Sequence, residues 1–136
     1  MVIAYLDASA IVKLVRRETG SDGLREFLRT CDLVASEVAV TEVLRAVIRE
    51  ASVVGQPTGE LLERALSAME ALVLIVAQTT TFVRAGLLEG AHLRSLDVIH
   101  IATAVEVGGV DVFVTYDERQ AAAARIAGFR TIAPGV

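Results

Sequence analysis

Length, composition and charge already exclude several classes of protein. The chain has 136 residues, of which 54% are hydrophobic, enough for one domain with a buried core and too many for a disordered chain. Its formal net charge of −4 argues against binding of polyanions by bulk charge, so any contact with nucleic acid would have to be local. Aromatic residues make up only 4%, which argues against a platform of exposed rings that stack on bases.

The apolar runs and the cysteine content bear on location. The longest apolar runs, such as Leu72–Ala77, have the length of a strand and are far too short to span a membrane. Met1–Ile3 lacks the basic segment that opens a secretory signal. The single cysteine, Cys31, excludes an internal disulfide framework and a cysteine-based zinc site. We therefore expect a cytoplasmic protein without membrane contact.

Short apolar runs alternate with helical patterns in the first half of the chain. Val2–Leu6 predicts a buried strand that ends at Asp7, and Leu33–Ala35 predicts a second, short strand. Four segments with apolar residues at helical spacing predict the helices Ser9–Arg17, Ser21–Thr30, Glu37–Ala51 and Gly59–Glu70. Ser36 and Thr58 are the expected N-caps of the last two helices.

The second half continues the alternation. Its expected elements are a strand at Leu72–Val76, helices at Thr81–His92 and Leu96–Glu106, a strand at Asp111–Thr115, a helix at Glu118–Ile126 and a strand at Arg130–Ile132. Strands separated by helices favour a mainly parallel sheet that is covered on both faces. The sequence therefore predicts one α/β domain over residues 1–136.

Four acidic residues stand out because their surroundings are apolar. Asp7 directly follows the first strand, and Asp117 follows Val112–Val114 after two residues. In an open parallel sheet, ligands bind at the carboxyl ends of the strands, so both residues lie on the expected functional edge. Asp97 opens a helix that is apolar on nearly all sides, and Glu42 lies next to the apolar stripe of its helix.

Each of these residues also has a purely structural explanation. Asp7, Asp97 and Asp117 stand where they would cap a helix or interact with a helix dipole. Glu42 alone is typical of a solvated helix position. If the four carboxylates converge, however, they repel one another and need a compensating cation. A hard divalent cation with oxygen ligands is the simplest compensation.

Other polar residues leave two explanations open. His100 lies about one turn after Asp97 and is either a pocket residue or, more often in so apolar a helix, a hydrogen-bonded core histidine. Several arginines form either patches that face nucleic acid or a second subunit, or ordinary helix surface: Arg16, Arg17, Arg45 and Arg49.

The acidic residues carry a resemblance to a known family. The opening Tyr5–Leu14 is similar to the first motif of PIN-domain ribonucleases, especially VapC-type toxins. Thr41–Ala46, with Glu42, fits the second motif of that family. Leu96–Ala104 and Thr115–Arg119 resemble its third and fourth motifs. The resemblance covers essentially the whole chain, and its strength lies in four acidic residues in the family's order and spacing.

The resemblance implies a three-layer PIN-like fold and metal-dependent hydrolysis of RNA phosphodiester bonds. Its expected cofactor is Mg²⁺ or Mn²⁺, and its expected site consists of Asp7, Glu42, Asp97 and Asp117, supported by Ser9 and Thr115. We expect direct ligation by the first and third of these acidic residues and a water-mediated or proton-accepting role for the other two. The resemblance also implies a cognate VapB-like antitoxin and a homodimer.

One position departs from the family pattern. Arg119 stands where many PIN nucleases have a further aspartate, so the resemblance implies one well-held ion rather than a complete second metal site. Two alternatives stay open at this point, a PIN-domain nuclease that processes RNA without being a toxin and a catalytically silent PIN-fold binding module. A dinucleotide-binding domain is disfavoured, because Asp7–Ala10 contains no glycine.

Overall fold

Strands and helices alternate along the chain as the apolar pattern predicts. The computed structural model describes residues 1–89 and 92–136. Its strands are β1 (Val2–Leu6), β2 (Cys31–Ser36), β3 (Val73–Ile75), β4 (Val112–Val114) and β5 (Thr131–Ile132). Its helices are α1 (Ala8–Val15), α2 (Ser21–Leu28), α3 (Val38–Val54), α4 (Thr58–Glu70), α5 (Thr79–Gly86), α6 (Ser95–Val107) and α7 (Glu118–Ile126).

The five strands form one parallel sheet in the order β3-β2-β1-β4-β5. From the central strand β1 the chain first builds outward through β2 and β3. It then returns to the other side of β1 and adds β4 and β5. The strand order therefore reverses between β1 and β4, and this switch point is where open parallel sheets bind ligands.

Alternation along β1 and β4 divides the core between the two faces of the sheet. Ala4 and Leu6 face a core that contains the buried side chains of α1–α4. Tyr5 and Phe113 face the opposite core, to which α6 and α7 contribute. Helices thus cover both faces, and the expected α/β fold with a parallel sheet between helical layers is confirmed.

The orientation of α3 matters for the site described below. Four small or β-branched residues at every fourth position are buried: Ala39, Val43, Val47 and Ala51. This stripe fixes the helix on the sheet and turns Arg45 and Arg49 toward solvent, with Glu42 partly exposed.

Several boundaries differ from the expectations. Glu37 and Pro57 occupy the N-cap positions of α3 and α4, so the expected caps Ser36 and Thr58 were wrong as cap residues. Ser36 still accepts a hydrogen bond from the Val38 backbone N–H (3.3 Å), whereas Thr58 is already helical because Pro57 stands at the cap.

The helix expected at Thr81–His92 is shorter and begins earlier. It runs from Thr79 to Gly86, because Gln78 and Thr81 bond reciprocally with each other's backbone N–H groups and so fix its start. Residues 90–91 of the expected helix lie outside the described residues. Within the described ranges, no helix is both long and apolar enough to cross a membrane.

Candidate active site

Asp7 lies at the switch point of the sheet, directly after β1. Leu6 pairs with Val114, and the Asp7 backbone N–H donates to the Val114 carbonyl (3.3 Å), so the ends of β1 and β4 lie side by side. The Asp7 side chain is only 4% exposed. It is also the N-cap of α1 and accepts a hydrogen bond from the Ala10 backbone N–H (3.1 Å).

Two hydroxyl groups hold the buried Asp7 carboxylate. Ser9 Oγ donates to Oδ1 (2.6 Å), and Thr115 Oγ1 donates to Oδ2 (2.5 Å). The same hydroxyls accept hydrogen bonds from the next turn of the chain. Thr115 Oγ1 accepts from the Asp117 backbone N–H (3.1 Å), and Ser9 Oγ accepts from the Tyr116 backbone N–H (2.9 Å). Ser9 and Thr115 therefore connect Asp7 to the loop that carries Asp117.

Burial governs the charge state of Asp7. Burial raises the pKa of the Asp7 carboxyl, although the hydrogen bonds from Ser9 and Thr115 and the nearby His100 oppose the increase. No lysine or arginine in the described chain forms an ion pair with this carboxylate. The ionised form is therefore costly in the protein alone, and a cation at this edge of the sheet would lower that cost.

Asp97 and Asp117 line one pocket of about 440 Å³, together with His92, Arg94, Glu118 and Arg119. Each aspartate uses one carboxylate oxygen to hold a helix start. Asp97 Oδ2 accepts from the Arg94 backbone N–H (3.3 Å), and Asp117 Oδ1 accepts from those of Arg119 (2.9 Å) and Gln120 (3.3 Å). Their remaining oxygens, Oδ1 of Asp97 and Oδ2 of Asp117, accept no hydrogen bond from any described residue.

Gln120 fixes the two aspartates relative to each other. Its side chain is buried, and its Nε2 donates to the Asp97 backbone carbonyl (3.1 Å). Because its own backbone N–H bonds to Asp117, a single residue ties the first turn of α7 to the first turn of α6. Sequence reasoning missed Gln120, since a glutamine in an alanine-rich helix carries no signal that it will face the sheet edge.

Glu42 belongs to a different hydrogen-bonded group. His100 Nε2 bonds to Glu42 Oε1 (2.6 Å), and Tyr5 Oη bonds to His100 Nδ1 (2.7 Å). Burial raises the pKa of the Tyr5 phenol well above its usual range, so Tyr5 remains a donor. The Tyr5 hydroxyl then donates to Nδ1, and the other ring nitrogen, Nε2, donates to the Glu42 carboxylate. His100 is thus the hydrogen-bonded core histidine of the two explanations that the sequence left open.

The four predicted acidic residues do not all line the same pocket. It brings Asp97 and Asp117 into one pocket and connects Asp7 to Asp117 through Thr115. Glu42 does not line that pocket. It lines an adjoining cavity of about 830 Å³, and Arg94 is the residue that both hollows share. Asp7, Asp97 and Asp117 each accept a hydrogen bond from a backbone N–H at a helix start, so the structural explanation of these three residues holds.

The donor chemistry fits a hydrated divalent cation. No three histidine, cysteine, aspartate or glutamate side chains of residues 1–89 and 92–136 form a group that could hold a metal ion. Mg²⁺, however, keeps several waters and binds through one or two carboxylates. The uncommitted oxygens of Asp97 and Asp117 meet that requirement, and Asp7 Oδ2 keeps a lone pair beside its single bond to Thr115.

Comparison with known proteins defines the class of this chain. The family model of the PIN domain matches residues 4–126, and the chain therefore belongs to the PIN-domain family. The chain is 42% identical over 137 aligned positions to Ribonuclease VapC46 of Mycobacterium tuberculosis, with 98% of this chain and 99% of the relative covered. The resemblance to VapC ribonucleases that the four motifs carry is confirmed.

A further relative and a solved structure are also similar to the chain. Ribonuclease VapC35 of Mycobacterium tuberculosis is 37% identical, with 96% of each chain covered. The crystal structure of VapBC2 from Rickettsia felis, bound to a DNA fragment from their promoter, has the same fold. Its TM-score is 0.73 at 13% identity, with 98% of this chain and 99% of that chain covered.

The raised pKa of Asp7 predicts a pH-dependent difference in stability. A carboxyl whose pKa is higher in the folded state stabilises the fold below its unfolded pKa and loses that contribution as pH rises through the folded pKa. In EDTA, the free energy of unfolding of Asp7→Asn, relative to that of the unchanged protein, should therefore increase as pH rises from about 4 toward neutrality, because only the unchanged protein has to ionise a buried carboxyl group. Urea denaturation across that range measures the difference.

Asp32→Asn is the matched control, because Asp32 is exposed at the start of β2. Its difference from the unchanged protein should stay within about 0.5 kcal/mol at every pH. A pH-independent difference for Asp7→Asn would show that the Asp7 charge is not costly in the fold.

Proposed function

We propose that this VapC-family ribonuclease is the toxin of a VapBC-type toxin–antitoxin module and that it cleaves RNA phosphodiester bonds internally at the pocket of Asp97 and Asp117. One observation carries the location of the site. Two aspartates from different helices line one pocket, each with an uncommitted carboxylate oxygen, and no described lysine or arginine forms an ion pair with either. The proposed cofactor is a divalent cation, Mg²⁺ or Mn²⁺.

The four acidic residues have different tasks in this proposal. Asp97 and Asp117 offer their uncommitted oxygens to the cation, and Asp7, which does not line that pocket, adds its charge from the buried end of β1. When bound, the cation would polarise the scissile phosphate and favour ionisation of a water molecule. This assignment differs from the sequence-based one, which gave Asp7 direct ligation and Asp117 a water-mediated or proton-accepting role.

Three hydrogen-bonding residues hold the aspartates in fixed positions relative to one another. Ser9 and Thr115 hold the Asp7 carboxylate and anchor the Tyr116–Asp117 backbone, so the end of β1 and the loop after β4 move as one unit. Gln120 does the same for Asp97 and Asp117. A metal site that is preorganised by such contacts needs little rearrangement when the substrate arrives.

Cleavage by the Asp97→Asn variant tests the site. Because this substitution puts a neutral amide in place of one carboxylate ligand, cleavage of total RNA should fall by about 100-fold or more. Asp117→Asn should have a similar effect, whereas Asp32→Asn should cleave at the rate of the unchanged protein. EDTA should abolish cleavage, and Mg²⁺ or Mn²⁺ should restore it. Full activity of Asp97→Asn, or undiminished cleavage in EDTA, would contradict the proposal.

We also propose that His100 positions Glu42 for the reaction. His100 is buried and contacts Glu42 and Tyr5, so it acts through the carboxylate that it holds. Glu42 lines the cavity next to the aspartate pocket, where a carboxylate of fixed orientation can accept a proton from, or orient, an attacking water. A merely structural histidine would affect stability but leave the turnover of the folded protein unchanged.

Two substitutions of His100 distinguish a role in positioning Glu42 from a role in packing alone. His100→Ala should lower kcat by about tenfold or more, with little change in KM, because Glu42 loses its donor. His100→Gln keeps an N–H donor of similar reach and should recover most of that loss. Thermal unfolding of both variants gives the folded fraction of each, and kcat is calculated per folded molecule. Equal kcat values for the two variants and the unchanged protein, per folded molecule, would rule out the positioning role.

The remaining partners are a VapB-type antitoxin and a second copy of this chain. The structure of VapBC2 from Rickettsia felis, bound to a DNA fragment from their promoter, shares this fold and supports an antitoxin partner here. Large apolar side chains that remain exposed on the β3 edge and on α5 support a protein interface: Val73, Val76, Phe82 and Val83.

A further inference from the structure

A basic cavity adjoins the aspartate pocket. It has a volume of about 830 Å³, and α1, α3 and the loop before α6 contribute to its walls. Its charged residues are five cations and two acids, namely Lys13, Arg16, Arg45, Arg49 and Arg94 against Glu18 and Glu42. Such an excess of positive charge is unexpected in a protein whose net charge is −4.

The ion pairs of the fold account for only part of this charge. Lys13 pairs with Glu18 (3.0 Å), and Arg16 pairs with Glu50. The Glu42 carboxylate accepts its hydrogen bond from His100. Among the described residues, no carboxylate lies within ion-pair distance of Arg45, Arg49 or Arg94. Three guanidinium groups at this cavity therefore have their donors available to a ligand.

The stability of the fold does not explain the arginines on α3. Arg45 and Arg49 are four residues apart, so they lie on the same side of the helix, about 6 Å apart along its axis. Like charges at this spacing destabilise a helix by about 0.2–0.5 kcal/mol. This repulsion does not stabilise the fold, and an anion between or beside the two side chains would offset it.

The position of Arg94 relates this cavity to the cleavage site. Arg94 lines both the basic cavity and the pocket of Asp97 and Asp117, so the two hollows are neighbours. On α3, Glu42 precedes Arg45 by three residues and Arg49 by seven, which places all three on one side of the helix. A chain of phosphates that leaves the aspartate pocket past Arg94 would run along this row.

We propose that the basic cavity binds the sugar–phosphate backbone of single-stranded RNA next to the cleaved bond and that Arg45 and Arg49 contact its phosphates. The inference rests on the proposed function, because it assigns the substrate of that site. Guanidinium groups suit this task, since they offer several donors in a plane to phosphate oxygens. The Tyr116 ring is already engaged by Lys13 Nζ, 5.2 Å from its centroid, so the cavity favours phosphate contacts over stacking on bases.

Charge favours RNA over a protein segment as the occupant. A neutral or basic protein segment would leave the three arginines without a compensating charge, whereas a polyanion compensates them. The proposal therefore commits to RNA, and a protein occupant becomes an outcome of the test.

Binding without cleavage tests the proposal. A fluorescent single-stranded RNA of about 12 nucleotides is titrated with the full chain in EDTA, and anisotropy gives Kd at several salt concentrations. Arg45→Gln/Arg49→Gln should raise Kd by about tenfold or more. It should also reduce the slope of log Kd against log salt by about 1.4, since each phosphate contact on a single strand contributes about 0.7. The matched control is Arg29→Gln/Arg130→Gln, which removes the same charge from positions that line neither hollow.

The outcomes separate this proposal from the proposed function. If the double variant and the control bind RNA equally well, or if the unchanged protein binds no RNA, the RNA surface is overturned, and a protein partner remains as the occupant. If only the double variant loses affinity and salt dependence, the RNA surface is supported, even if the unchanged protein does not cleave RNA in Mg²⁺ or Mn²⁺. In active protein, the double variant should raise KM and retain kcat at saturating RNA.

Discussion

The buried carboxylate of Asp7 is the constraint on which the site depends. It lies where the strand order reverses, and its hydrogen bonds to Ser9 and Thr115 connect the end of β1 to the loop after β4. Burial raises its pKa, so the fold holds an acidic group where its ionised form is unfavourable. Such a cost is tolerated where another charge offsets it. The arrangement therefore suits a protein that takes up a cation at this edge.

Charges of opposite sign are separated on either side of Arg94. The pocket of Asp97 and Asp117 contains uncommitted carboxylate oxygens, whereas the adjoining cavity contains arginines without carboxylate partners in the described chain. A metal ion in the first would offset its acidic residues while the adjoining cavity stays positive, and a polyanionic substrate then complements this edge of the sheet. The acidic net charge of the chain is consistent with nucleic-acid binding that is local and restricted to one edge of the sheet.

Apolar periodicity was sufficient to predict the parallel sheet and the positions of most elements. It also located Asp7 and Asp117, because strand ends and their following residues are local features. The sequence could not predict that Glu42 would bond to His100, 58 residues away, or that Gln120 would bridge two helix starts. These contacts depend on how α3, α6 and α7 pack on the sheet. The sequence offered helix capping only as an alternative role for Asp7, Asp97 and Asp117. The structure shows that all three accept a hydrogen bond from a backbone N–H at a helix start.

Anomalous diffraction from crystals of this protein grown with Mn²⁺ would locate the cation at this edge of the sheet. We expect one strong anomalous peak bonded to carboxylate oxygens of Asp97 and Asp117, with water molecules completing its coordination and Asp7 adjacent. A peak bonded to other residues, or an empty aspartate pocket in crystals of protein that cleaves RNA in the same Mn²⁺ solution, would show that these aspartates do not hold the cation.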